Sequence, residues 1–315
     1  MKIDYKRFAF FGASLTRQKV SYADRLMLML GDKEYKKFGY GSMHIEDAGI
    51  CFLDEVISYN PDICFVDWFS TGNTQTTEKT RMSLDCILYK ILSNNIKPVF
   101  LLFPRKDMND SRTKLYKFVI DYCDTYNVSI INVYELFIKK YRLESNEILR
   151  DYVHTTETGS QYYAEEISKC LFNDVFNLPD FPLDSKYNLV YPPRNKYCDI
   201  LKMDLKLKIK NFLTVELEDE LLGIYQTIGP YSGVVNIYKN NVKIGSQKVW
   251  DSWCHYERET IKILINEPGI YKIEVSQEPL DKASAKAQCD WGSLRNELNT
   301  HSFFYTKGLK VLDYE

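Results

Sequence analysis

The sequence predicts a parallel α/β domain followed by an antiparallel β-sandwich, and three observations carry that expectation. Short apolar runs alternate with helical patterns up to about residue 175. Pro179, Pro182, Pro192 and Pro193 then fall close together. Beyond them, apolar residues recur at every second position. A chain of 315 residues exceeds the usual size of one domain, which agrees with two.

In chain order, Arg7-Phe8-Ala9-Phe10-Phe11 reads as a buried strand ended by Gly12. Residues 18–30 place Ala23, Leu26, Met27 and Leu30 at helical spacing, with Gly31 as a C-terminal cap. Ile63–Phe69 and Pro98–Phe103 are two further strand-like runs, and residues 78–95 between them carry Met82, Cys86, Tyr89 and Leu92 in a helical pattern. A helix pattern over 111–126 leads to the strand Val128–Val133. Strands alternating with helices imply a parallel sheet covered on both faces, whose active sites gather at the carboxyl ends of the strands. The expected domain spans 1–177, an extended proline-rich linker 178–197, and the sandwich 198–315. Within the last, Thr214–Glu218, Val234–Tyr238 and Tyr271–Val275 alternate apolar with polar, while Asn240-Asn241 and Pro268-Gly269 mark turns.

Composition narrows the function. The chain is 45% hydrophobic and 27% charged, ordinary for a globular protein. A net charge of −2, with lysines and arginines scattered, gives no electrostatic case for nucleic acid or an anionic membrane. No run approaches the roughly 20 apolar residues of a membrane span, and Phe8–Phe11 is too short for the core of an export signal, so a cytoplasmic protein is expected. The eight cysteines form no Cys-x-x-Cys pair and read as free thiols. With only four histidines and no close His/Cys/Asp cluster, neither a metal nor a cofactor is expected.

Four features carry chemistry. Ser14 lies in the strand-to-helix turn Phe11-Gly12-Ala13-Ser14-Leu15-Thr16, where a hydroxyl and free backbone N–H groups come together. Asp151 and His154 stand three apart on one loop, so the carboxylate can fix the imidazole tautomer and leave the other ring nitrogen as a base. Gly72-Asn73, after the third strand, offers a side-chain amide. Phe38-Gly39-Tyr40-Gly41-Ser42 offers a bare backbone N–H. Each has an ordinary structural reading. Together they supply nucleophile, base, orienting acid and oxyanion donors on one sheet edge.

The order of these residues resembles the SGNH hydrolases, the GDSL esterase superfamily. Gly12-Ala13-Ser14-Leu15 matches the first block, Gly41 the second (Gly39 the runner-up), Gly72-Asn73 the third and Asp151-x-x-His154 the last. The likeness runs from residue 7 to about residue 172. It implies a flavodoxin-like three-layer fold and a Ser14 nucleophile with His154 as base and Asp151 orienting it. The implied oxyanion donors are the Ser14 and Gly41 N–H groups and the Asn73 amide. The chain departs from the family in having Ala13 for the usual Asp before the serine, Thr74 for the Asp after the asparagine, and Thr155 for the Pro after the histidine.

A β-sandwich beside such a domain resembles a carbohydrate-binding module or a jelly roll. Trp250–Tyr256, Tyr225 and Tyr231 are aromatics for stacking on sugars or for filling a core. Trp68, Arg105 and Trp253 are candidate substrate contacts, with Arg105 and Lys106 suited to an anionic sugar. The expected substrate is a small-molecule or oligosaccharide ester. The resemblance implies a carbohydrate O-acyl esterase, O-acetyl first. A polysaccharide or glycan O-acetyltransferase using the same triad is the alternative, and a silent SGNH-like binding protein is the second.

Overall fold

The protein is described by a computed structural model covering residues 5–71, 77–142, 146–172, 179, 201–218, 222–250, 257–265, 267–276, 297–305 and 308–315. The chain divides into two units, Met1–Cys198 and Asp199–Glu315.

The first unit is built on a parallel sheet of β1 (Arg7–Gly12), β2 (Glu34–Gly39), β3 (Ile63–Val66), β4 (Lys97–Leu102) and β5 (Ser129–Asn132), in the spatial order β2-β1-β3-β4-β5. This is the flavodoxin-like order. Between and after the strands come α1 (Ser14–Arg17), α2 (Tyr22–Leu30), α3 (Ala48–Cys51), α4 (Leu53–Tyr59), α5 (Thr77–Ser93), α6 (Asp110–Thr125), α7 (Val133–Lys140) and α8 (Glu157–Phe172). Because helices cover both faces, β1 and β3 bury successive residues rather than alternate ones. Phe8, Phe10, Phe65, Val99 and Leu101 pack with Tyr22, Leu26, Tyr163 and Ile167 of α2 and α8 on one side.

The helix expected over 18–30 begins only at Tyr22, and residues 18–21 are not helical. Ser21 starts it by forming a capping box: its Oγ accepts from Asp24 N–H, and the Asp24 carboxylate accepts from Ser21 N–H at 2.8 Å. Gly31 closes α2 at φ +74°, as its sequence position suggests. The strand-like run 63–69 also stops early. β3 ends at Val66, and a single 3₁₀ turn (Trp68–Ser70) follows.

The second unit is antiparallel throughout its described strands. β6 (Leu201–Ile209), β8 (Leu222–Ile228), β11 (Arg258–Ile265) and β13 (Leu298–Tyr305) form one sheet in the order β11-β8-β13-β6. β7 (Phe212–Leu217), β9 (Val234–Lys239), β10 (Val242–Lys248), β12 (Gly269–Val275) and β14 (Leu309–Tyr314) form the other, ordered β10-β9-β12-β7-β14. Both sheets contribute to one core, which includes Ile224, Leu298 and Phe303 from the first and Val215, Ile237 and Ile273 from the second. Asn240 and Asn241 take φ of 50° and 65°, the two positive values a tight β9–β10 hairpin requires.

Candidate active site

The carboxyl ends of the parallel strands share one edge; Ser14 follows β1 and Gly41 follows β2 there, while Asp151 and His154 lie on the loop between α7 and α8. After β1, Ala13 is the N-terminal flanking residue of α1 and its carbonyl accepts from Arg17 N–H at 3.1 Å. Across a trans peptide, the Ser14 N–H points away from that carbonyl. Ser14 is half-buried. Its hydroxyl lies 2.9 Å from His154 Nε2.

His154 arrives on a short loop that folds on itself. Leu149 and Thr155 form an isolated antiparallel bridge, and Arg150 N–H donates to the His154 carbonyl at 2.9 Å. The Asp151 carboxylate turns back within this loop. Its Oδ1 accepts from Val153 N–H at 2.9 Å and His154 N–H at 2.8 Å, and its Oδ2 lies 2.8 Å from His154 Nδ1. With Nδ1–H donating to Asp151, Nε2 is the acceptor for the Ser14 hydroxyl. Desolvation pushes the Asp151 carboxyl up, but these N–H donors together with the imidazole hold it below the ordinary carboxylate range. The His154 side chain is 27% exposed and that of Asp151 48%, so the relay opens to solvent.

The two glycines after β2 differ. A β-carbon on Gly39 would lie 2.5 Å from the Arg17 backbone nitrogen, so Gly39 is required for α1 to pack on β2. A β-carbon on Gly41 would meet nothing closer than 3.5 Å, and one of its neighbours, at 4.0 Å, is Ser14 Cβ. Gly41 is thus the glycine beside the serine.

Beneath the Ser14 turn lies a residue the sequence reading did not select. Asp67 is fully buried. Its carboxylate accepts from Ala13 N–H at 3.2 Å, Thr16 Oγ1 at 2.7 Å and Tyr22 OH at 3.0 Å. Burial raises its pKa to about 6, against the downward pull of those three donors. It also explains Gly12, because a β-carbon there would lie 1.2 Å from Asp67 Oδ1. The signal was present in sequence: an acid directly after four buried strand residues must find donors nearby.

Two proposed substrate contacts require correction. Trp68 has no exposed surface and packs edge-on against Phe11 at 5.2 Å and parallel to Tyr40 at 6.1 Å. It belongs to the core because the 3₁₀ turn folds its indole back under the sheet edge. Arg105 is buried, with Nε and Nη2 on the Asp107 carboxylate at 2.7 and 2.9 Å and Nη1 donating to the Ser70 carbonyl. Its charge is compensated internally, and it braces the segment leaving β3. Lys106 is occupied as well, its ammonium on Asn146 Oδ1 and its backbone N–H on the Tyr152 carbonyl. In the second unit Trp250 is buried beside Lys248, which excludes it as a stacking platform. Gly72, Asn73, Thr74 and Trp253 lie outside the described residues.

Among the described residues, no group of three or more His, Cys, Asp or Glu side chains could hold a metal ion, and no helix is long and apolar enough to cross a membrane. Cys51, Cys64, Cys86, Cys123 and Cys170 are free thiols.

No protein-family model matches the chain, and no curated protein matches it by sequence. Solved structures do match by fold. A two-domain esterase active on acetylated mannans aligns at TM-score 0.68 and 11% identity, over 98% of this chain and 92% of that one. The same esterase co-crystallised with mannopentaose aligns at TM-score 0.67 and 11% identity, over 96% and 91%. An acetyl xylan esterase aligns at TM-score 0.44 and 21% identity, over 52% of this chain and 98% of its own. At 11% identity the two-domain likeness is one of fold alone.

Proposed function

We propose that this protein is a serine-dependent carbohydrate O-acyl esterase, with O-acetyl esters as its first substrates. The observation that carries the reading is the continuous relay Ser14 Oγ–His154 Nε2 and His154 Nδ1–Asp151 Oδ2, at 2.9 and 2.8 Å. As Ser14 attacks an ester carbonyl, its proton passes to His154, and Asp151 stabilises the imidazolium that forms. The Ser14 N–H and the neighbouring Gly41 N–H are the proposed backbone donors to the oxyanion, with Asn73 as the proposed side-chain donor. Collapse expels the alcohol, which takes its proton from His154; water then releases the acyl group by the reverse path. The fold shared along both domains with an esterase active on acetylated mannans supports a sugar ester over a lipid.

The test is a panel of p-nitrophenyl acyl esters and O-acetylated mono- and oligosaccharides, assayed with wild type and Ser14→Ala. Turnover of acetyl esters by wild type, lost in Ser14→Ala, is expected. Activity retained by Ser14→Ala, or wild-type inactivity on every ester, overturns the proposal. Transfer of acetyl to an added sugar in preference to water would instead identify an acetyltransferase.

A further inference from the structure

Ser14 and His154 come from segments 140 residues apart, and one side chain ties those segments together. Gln18 ends α1, where its backbone N–H donates to the Ser14 carbonyl at 3.1 Å. Its side-chain amide then spans to the residue after the histidine. Nε2 donates to the Thr155 carbonyl at 3.1 Å, and Oε1 accepts from Thr155 N–H at 3.2 Å. Only one orientation of the amide satisfies both bonds, so this is a two-point clamp rather than a single contact. A continuous path therefore runs from the Ser14 backbone through Gln18 to the backbone carrying His154.

The clamp needs an N–H at position 155. Proline, the residue the SGNH resemblance leads one to expect there, has none. Thr155 supplies it, and its hydroxyl lies 2.7 Å from that of Ser160, which donates to the Val20 carbonyl at 2.9 Å. The segment between α1 and α2 is thus bound at both ends to the loop and helix that follow His154.

We propose that Gln18 is a positioning residue that holds His154 in register with Ser14 through Thr155. The proposal rests on the reading of Ser14 and His154 as nucleophile and base. Gln18 does not touch the reacting atoms; it limits the sliding of the His154 loop against α1. Misplacement on the scale of 1 Å can reduce a reaction by about a hundredfold.

The experiment compares wild type with Gln18→Met, which keeps the volume and removes both hydrogen bonds, and with Thr155→Pro and Thr155→Ser. Hydrolysis of p-nitrophenyl acetate is measured with each preparation normalised by active-site titration with a fluorophosphonate, beside thermal melting and pH–rate profiles. Gln18→Met should lower kcat per titrated site about 10- to 100-fold, with KM changed less than about threefold. Thr155→Pro keeps only the carbonyl's bond to Gln18 and loses the N–H bond and the hydroxyl's contacts with Gln18 and Ser160, so it should also fall below wild type, while Thr155→Ser, which keeps the N–H and the hydroxyl, should stay within about twofold of wild type. A purely structural role would reduce the melting temperature and the number of titratable sites but leave kcat per site and the pH profile unchanged. That result overturns the proposal while the active-site reading stands. A wild type that neither turns over ester nor takes the probe overturns both.

Discussion

His154 Nε2 stands 2.9 Å from Ser14 Oγ, and Asp151 holds the opposite ring nitrogen at 2.8 Å, so the imidazole has one arrangement in which both contacts are hydrogen bonds. In the proposed mechanism, that arrangement lets the ring take a proton from the serine.

Asp151→Asn should therefore damage turnover far more than folding. The amide can donate to the ring and favour the wrong tautomer, which in a comparable triad lowers kcat by about four orders of magnitude. Because the Asp151 side chain is half exposed, the melting temperature should change little. Its carboxyl titrates below the usual range, so it stays ionised down to mildly acidic pH.

Gly39→Ala and Gly41→Ala should behave oppositely. The first forces a β-carbon to within 2.5 Å of the Arg17 nitrogen and should destabilise the domain by about 1–3 kcal/mol. The second meets only ordinary contacts and should melt with wild type. Thermal melts of both variants distinguish them.

Asp67→Asn should change how stability depends on pH. A carboxyl raised from 3.8 to about 6 by folding binds its proton more tightly in the native state. Its contribution therefore favours folding at acid pH and is lost as pH rises from about 4 through about 6. Relative to Asp67→Asn, wild type should lose on the order of 3 kcal/mol across that interval. About 2 kcal/mol of that falls between pH 4.5 and 7.5, where urea unfolding of both proteins measures it.

Arg105→Met should lower stability by roughly 1–3 kcal/mol, because it leaves the Asp107 carboxylate with Arg112 Nη2 at 3.4 Å as its remaining cation and releases the Ser70 carbonyl. If Arg105 recognised substrate charge, the variant would lose selectivity for anionic over neutral esters. We expect that ratio to be unchanged, as paired kcat/KM measurements will report.

The relay was legible in sequence because Asp151 and His154 belong to one short loop and Ser14 to one strand-to-helix turn. What holds them was not. The three donors to Asp67 lie 45 to 54 positions earlier, and Gln18 lies 137 positions from Thr155. No local pattern joins segments so far apart. Gly39 and Gly41 looked alike because a sequence records only that a β-carbon is missing, not what it would strike. Trp68 follows a strand buried on both faces, where apolar continuity gives no period from which to assign a side. Arg105 read as available because its exit from β4 faces the expected edge; Asp107, two residues on, was the sign that its charge was already matched.

The central claim is that Ser14 is the nucleophile and His154 its base. Incubating the intact protein with a fluorophosphonate, then locating the adduct by peptide mass spectrometry, tests it most directly. The account predicts one adduct per chain on Ser14, and labelling slowed at least a hundredfold in His154→Ala of unchanged melting temperature. An unlabelled wild type, an adduct on another residue, or full labelling without His154 would contradict it.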